Sequence, residues 1–407
     1  MSPSWRDGLR EDWRRLFGEP WEAHLGAVLL VLLILLLLVK GGFWGVFGGL
    51  RLWGDWINNA IGLGPLLNIK AQLDSPLSHR MSLMNLMLIA GSMAAALLSG
   101  QFSVYRAPRL EYLWGALGGV LMGIGATLAG GCTTGGFFTP ALNSSPAGWA
   151  MAIGLMAGAA IGLKLLLWTL EHISWGTRAP SAITLPLPAM HPWIGAALFL
   201  LVSGGSLAMA ASGDERWSPY VAIVVIGFAM GFVMQRSRLC FSRAFREPFM
   251  TGEGSMTKAV MLALALGIPA AAVIFQKKLA DPYDAIPATF WLGSLSGGLI
   301  FGIGMVFAGG CASGALWRAG EGHLKLWLAL LFFAWGGSTF TGILSHWQVL
   351  ARQAGDDNLD YTQLGGQAWL PDMLGGQVAA LLVGLGILLL WYLWLRYNES
   401  TERFTLT

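Results

Sequence analysis

The chain has 407 residues, of which 55% are hydrophobic and only 12% charged, with a formal net charge of +3 and a mean hydropathy of +0.60. A soluble domain carries about 25% charged residues, so this composition excludes a soluble enzyme, a disordered chain and a disulfide-stapled secreted domain. The small net charge argues against nucleic acid as a partner. Three cysteines are too few, and odd in number, for a disulfide framework. What remains is a polytopic all-α membrane protein with the lipid bilayer as its surroundings. Its 56 glycines and 20 tryptophans fit, because Gly is frequent in membrane helices and Trp gathers at the headgroup level.

A spanning helix needs about 20 mostly apolar residues. In chain order, ten such stretches run near 25–43, 81–100, 112–129, 148–168, 191–211, 218–234, 258–276, 289–308, 324–345 and 376–396. The first is led by the leucine-rich run Leu29 to Val39. It does not read as a cleaved signal peptide, because Glu19 and Glu22 flank it and Lys40-Gly41-Gly42 is no small-residue cleavage site. Four further apolar pieces, 43–58, 137–142, 239–250 and 315–320, are too short to span. Lying beside glycine runs, they read as short half-helices or re-entrant segments.

Positive charge sets orientation. Arg6, Arg10, Arg14 and Arg15 precede the first span, which predicts a cytoplasmic N-terminus. Counting spans then places Arg106 and Arg109, the cluster Arg236, Arg238, Arg243 and Arg246, and Arg396 and Arg403 on the same side. The acidic stretch Asp356, Asp357, Asp360 and Asp372 falls outside, as do Lys277 and Lys278 against the trend. The expected organisation is a cytoplasmic segment 1–24, a first membrane half 25–190, a second half 191–345, an extracytoplasmic loop 346–375, a last span 376–396 and a cytoplasmic tail 397–407.

The two halves carry a repeat. Residues 118–135 read GGVLMGIGATLAGGCTTG and residues 297–314 read GGLIFGIGMVFAGGCASG, with ten of 18 aligned positions identical and no gap. The repeats fall on the third and eighth spans, so an odd number of crossings separates them and they point in opposite directions. That predicts an inverted repeat, the usual plan of secondary transporters, with a substrate site where broken helices meet near the midplane. Helix packing through small residues accounts for Gly119 with Gly123 and Gly298 with Gly302. It does not account for each stretch ending in Gly-Gly-Cys and then losing its helical pattern.

The residues at these endings suit an anion. Gly130 and Gly131, and Gly309 and Gly310, allow a tight turn whose backbone N–H groups face a ligand. A helix starting just after the turn adds free N–H groups and the positive end of its dipole. Thr133, Thr134 and Ser313 add hydroxyl donors beside Cys132 and Cys311. The third cysteine, Cys240, sits in Gln235-Arg236-Ser237-Arg238-Leu239-Cys240-Phe241-Ser242-Arg243-Ala244-Phe245-Arg246. Arg236 and Arg238 read either as an anion mouth above Cys240 or as an ordinary positive-inside loop. One buried cysteine is often only a small hydrophobe, but all three lie at helix breaks. A neutral thiol is a weak donor with a polarizable sulfur, which suits a soft, sulfur-containing oxyanion better than sulfate or phosphate. Sites in a conducting path must also be loose enough to leave.

Gly-Gly-Cys-x-x-Gly at 130–135 and 309–314, with Gln-Arg-x-Arg-x-Cys-Phe-x-x-Ala-Phe-Arg at 235–246, resembles the YeeE/YedE family of sulfur-transport membrane proteins, the YedE-like branch above all. The resemblance runs from about residue 74 to 396. It implies an inverted-repeat fold in a bacterial inner membrane and uptake of thiosulfate or a related small anion. By motif, the anion is handed between Cys132, Cys311 and Cys240. It also implies a cytoplasmic sulfur carrier of the TusA type as partner. The chain departs from the more symmetric members in having no fourth cysteine in its first half, where Ser78-His79-Arg80-Met81 is the nearest counterpart to the arginine–cysteine motif. YedE-like members have also been linked with selenium metabolism, so the resemblance implies a selenium species as an alternative cargo. The rival classes are a membrane sulfurtransferase or thiol oxidoreductase and a purely structural subunit. Against catalysis, there is no Cys-x-x-Cys and the six histidines are scattered. No Walker-type, zinc or calcium motif is present, and no cofactor or metal is expected.

Overall fold

The computed structural model describes residues 5–172, 181–183, 190–212, 217–354 and 360–406; Asp356 and Asp357 of the acidic stretch lie outside them. An amphipathic helix α1, Trp5–Trp13, precedes α2, Ala23–Val39, whose leucines make it apolar all round. A helix of that kind belongs in lipid or a protein core. Lys40 and Gly41 end it, and α3, Phe47–Ala60, follows. Next come α4, Arg80–Leu98; α5, Arg109–Leu128; a wide turn Thr133–Phe138 running into α6, Thr139–Leu142; α7, Pro146–His172; and α8, His191–Ala211. Then come α9, Ser218–Ser237; α10, Phe241–Met250; α11, Ser255–Gln276; α12, Leu292–Ala308; α13, Ala312–Glu321; α14, Leu324–His346; α15, Leu370–Leu374; and α16, Gln377–Thr401. Each of the ten long apolar stretches is a helix. Among the described residues nine helical stretches are long and apolar enough to cross a membrane, and α2 with the segment before it, bent by 70°, makes a tenth.

The core is a four-helix cluster of α5, α7, α12 and α14, drawn together by glycine. A Cβ placed on Gly118 would lie 2.4 Å from the Ala308 nitrogen, and one on Gly125 2.6 Å from the Gly297 oxygen. Backbones this close leave no room for a side chain, which is the packing mode small residues permit in membranes. The pairs also fix direction. Gly118 meets Ala308 and Gly125 meets Gly297, so α5 and α12 are antiparallel. Gly119 meets Ala329 and Gly123 meets Phe333, so α5 and α14 are parallel; Gly154 with Leu295 and Gly158 with Leu299 make α7 and α12 parallel. The directions agree with successive spans crossing the membrane alternately.

Three helices are interrupted. Gly130 (φ +70°) stops α5 and Gly309 (φ +81°) stops α12, both in the left-handed conformation that glycine adopts without strain. Arg238 (φ +54°) ends α9 in the same way. Beyond each stop the chain resumes as helix, and Arg109–Leu142, Tyr220–Met250 and Leu292–Glu321 each form one interrupted span. Of the four short apolar pieces, three are therefore half-helices that prolong a span, and α3 stands as a separate short helix. The prolonged ends lie deep. Leu142 packs near Gly267 in the middle of α11, where Val31 of α2 also arrives, and Gly320 packs on Ile89 and Ser92 in α4. Two small strand groupings decorate the ends: β1, Val104–Arg106, pairs with β2, Ser181–Ile183, and β3, Gln353–Ala354, β4, Asp360–Thr362, and β5, Gly365–Gly366, form a second sheet. The segment after β5 is tied over the α6–α7 turn, with Ser145 Oγ donating to the Ala368 carbonyl at 2.7 Å and Trp369 Nε1 to that of Asn143 at 3.0 Å.

Candidate functional site: three thiols at three helix breaks

Each cysteine is the residue immediately before a resumed helix. Cys132 precedes the turn at Thr133, Cys240 precedes α10 and Cys311 precedes α13. This is local chemistry that the glycines make possible. The stop leaves the first N–H groups of the next helix without intrahelical partners, and the thiol stands beside them. Cys311 Sγ accepts from the Gly314 N–H at 3.4 Å and lies 3.6 Å from Ser313 Oγ. Cys132 Sγ lies 3.0 Å from Thr134 Oγ1. All three cysteines are free and at most 1% exposed.

Cys240 and Cys311 come together. A Cβ on Gly314 would sit 2.9 Å from Cys240 Sγ and 3.2 Å from Cys311 Sγ, so the two sulfurs face each other across this glycine. Only glycine leaves the two sulfurs that space. Trp317 Nε1 donates to the Leu239 carbonyl at 3.0 Å and so locks α13 against the segment carrying Cys240. Cys132 heads the first break, whose turn carries Phe137 and Phe138 into an aromatic cluster with the segment that follows Cys240. Phe138 lies 5.2 Å from Phe241 and Phe137 5.1 Å from Phe245, ring centre to ring centre, and Trp44 touches both Phe138 and Phe241.

A vestibule reaches each glycine turn. One, of about 540 Å³, is lined by Gly130, Gly131 and Gly135 with Arg51, His79 and Arg352. The other, of about 440 Å³, is lined by Gly309 with Arg318, Lys325, Arg106 and His323. Because α5 and α12 are antiparallel, the two turns that follow them open at opposite ends of the pair. Both mouths are cationic. At the first, burial pushes the His79 imidazole below its ordinary pKa; Asp74 opposes the shift and Arg51 adds to it. His79 Nδ1 accepts from the Ser82 N–H at 3.3 Å, capping α4 in its neutral form.

The arginines divide differently from the sequence expectation. Arg236 is buried and donates to the Glu19 carbonyl, and Arg238 pairs with Glu321 at 2.6 Å and with Gln101 at 2.7 Å. Neither is placed at the thiol pair. The charges within Coulombic reach of Cys240 belong to Arg318 and Arg246. Arg318 Nη1 donates to the Gly309 carbonyl at 3.1 Å and lies over the Trp317 ring. Of the other expected residues, Ser313 joins the Cys240–Cys311 group and Gly309 and Gly310 form its turn, whereas Gly130, Gly131, Thr133 and Thr134 surround Cys132. Sequence reasoning missed Arg246, Lys325 and the aromatic cluster. The i, i+4 pair Phe241 and Phe245, one face of a short helix, was the available signal for the last.

Fold and site together define a multi-pass α-helical membrane protein with thiols at the breaks of its interrupted spans. The chain belongs to the sulphur-transport family, whose sequence profile matches residues 5–161 and 236–406. It is 30% identical over 300 residues to the probable transporter YedE of Escherichia coli strain K12, covering 71% of this chain and 73% of that one. It is 28% identical over 341 residues to the probable transporter YedE of Salmonella typhimurium, covering 80% of each. It is 32% identical over 197 residues to the thiosulfate transporter TsuA of Spirochaeta thermophila, covering 45% of this chain and 56% of that one.

Proposed function

We propose that this protein carries a small sulfur-containing oxyanion across the membrane, thiosulfate in the first instance, between the two vestibules and by way of the three thiols. The observation that carries the reading is the placement of every cysteine in the chain at the head of a resumed helix, buried, with two of the three facing each other across Gly314. Moving an ion into a dry medium costs on the order of 20 kcal/mol before relaxation. The site answers that cost with free backbone N–H groups, the hydroxyls of Thr133, Thr134 and Ser313, and the nearby guanidinium groups of Arg318 and Arg246. The thiols add weak, polarizable contacts that match a terminal sulfur and do not trap it.

An inverted repeat is part of this reading, and the packing supports it. Exchanging the 118–135 and 297–314 repeats converts the Gly119–Ala329 and Gly123–Phe333 contacts, to within one residue, into Gly298–Met151 and Gly302–Leu155, which are also present. In the same exchange α2 answers to α9 and α3 to α10, so the counterpart of the Cys240 segment is the turn at Phe43-Trp44-Gly45 rather than Ser78–Met81. The second half then begins near α9 rather than at residue 191. The positive-inside pattern orients both termini toward the cytoplasm of a bacterial inner membrane. There a soluble carrier of the TusA kind would take the sulfur onward, and the membrane chain itself performs no catalysis.

The test is uptake by purified protein in proteoliposomes. Labelled thiosulfate is expected to enter and to be competed by unlabelled thiosulfate but not by excess sulfate, sulfite or selenite. Equal uptake of sulfate would contradict the soft-anion reading, preference for selenite would replace the cargo, and a persulfide left on Cys240 would favour a sulfurtransferase.

A further inference from the structure

Buried hydrogen-bonding groups are almost always paired, and one left unpaired costs about 1–3 kcal/mol. Two such groups belong to segments that meet at the first break. Trp44 is fully buried just ahead of α3 and its indole N–H has no partner among the described residues; Thr133, beside Cys132, is fully buried and its hydroxyl has none among them either. The segments touch where a Cβ on Gly135 would sit 3.4 Å from Gly45 Cα, and Thr139 Oγ1 donates to the Trp44 carbonyl at 2.9 Å. Gly45 and Gly135 line the first vestibule, and Trp44 stands directly behind them, its ring against Phe241, the neighbour of Cys240. The second break is different. There the indole of Trp317 is satisfied at 3.0 Å, and Ser313 and Gly314 are engaged with Cys311.

We infer that the Trp44 indole N–H and the Thr133 hydroxyl are oxyanion donors of the first half, holding the oxygens of a tetrahedral sulfur oxyanion at the position equivalent to that from which the second half presents the Cys240 thiol. The inference rests on the transport reading and deepens it. An indole N–H is donor-only, so it accepts the oxygen face of the anion and leaves the sulfur face to Cys132. A hydrogen bond to a charged group in a low-dielectric site is among the stronger ones, and an anion arriving there relieves two unmet donors at once. Proline or alanine at position 44 would remove both the donor and the packing, whereas phenylalanine removes the donor and keeps an aromatic ring in place.

The experiment is thiosulfate binding to the purified full chain in detergent, measured calorimetrically, for the wild type and for Trp44→Phe, Thr133→Val, Thr133→Ser and Trp168→Phe. Trp44→Phe and Thr133→Val are each expected to weaken binding about tenfold, the worth of one charge-assisted hydrogen bond. Thr133→Ser should restore it, and Trp168→Phe, at the exposed end of α7, should bind as the wild type does. Melting temperatures establish that each variant is folded, and Thr133→Val answers the question alone should Trp44→Phe not fold. Wild-type binding with both donor variants within about twofold of it overturns this inference and leaves the transport reading standing. It would mean that the two groups are satisfied by buried water. A wild type that neither binds nor takes up thiosulfate overturns the transport reading and this inference together.

Discussion

At the scale of single residues, the account turns on how little room surrounds the sulfurs. Gly314→Ala would place a methyl group 2.9 Å from Cys240 Sγ, which must push the thiol pair apart. Uptake is expected to fall at least about tenfold, with the melting temperature lowered by no more than an overpacking cost of about 1–3 kcal/mol allows. Unchanged uptake would mean that the Cys240–Cys311 contact is not used. Glu321 is buried and holds Arg238 at 2.6 Å. Glu321→Gln leaves that arginine without its counter-charge, and because Arg238 is partly exposed the expected loss is about 2 kcal/mol, below the full penalty for a buried pair. Thermal unfolding measures it. His79 gives a pH dependence. Its folded pKa is depressed, so its contribution to stability is present above the unfolded value of about 6.5 and is lost as pH falls through the folded value. The melting temperature should therefore drop between about pH 7 and pH 5, and His79→Asn, which caps without titrating, should flatten that part of the curve.

At the scale of elements, most of the helices were legible because long apolar runs leave few alternatives. All ten expected spans are helices, and the four short apolar pieces are α3, the wide turn running into α6, α10 and α13. The breaks were legible too, since Gly130 and Gly309 sit where the helical pattern fails, and both adopt positive φ. What the residues did not reveal is partnership across long separations. Arg238 reads as a mouth charge until Glu321, 83 positions away, is seen to hold it. Arg318, only three positions from Glu321 in the chain, donates to the Gly309 carbonyl, while Glu321 holds Arg238. Aromatic residues at helix spacing read as lipid-facing or core, and nothing local says that Phe138 and Phe241 meet. The glycine seam of α5 and α12 is a prediction at this scale. Gly125→Leu drives a side chain into the Gly297 and Phe301 backbone, where neither helix can yield. The expected cost exceeds about 3 kcal/mol, and little monodisperse protein should be recovered by size-exclusion chromatography. A normal yield would show that the helices are free to separate.

At the scale of the whole molecule, the proposed ten crossings would return the chain to the side on which it began, and the helix directions in the core agree with that alternation. Reporter fusions at the two termini should therefore report the same compartment, the cytoplasm, and a loop reporter after Lys278 the opposite one. The basic loop at Lys277 and Lys278 makes that placement a sharp trial of the orientation, because charge alone would put it inside. In the proposed reading, the two cationic vestibules, opening at opposite ends of an antiparallel helix pair, are joined through the thiols into a path that the anion traverses by exchanging partners. The most direct trial of that claim is the initial rate of labelled thiosulfate uptake into proteoliposomes carrying Cys132→Ala, Cys240→Ala or Cys311→Ala, each with confirmed melting temperature and incorporation. The account predicts that each substitution alone reduces uptake at least about a hundredfold, because a path in series fails at any missing step. Uptake at wild-type rates in all three would contradict it.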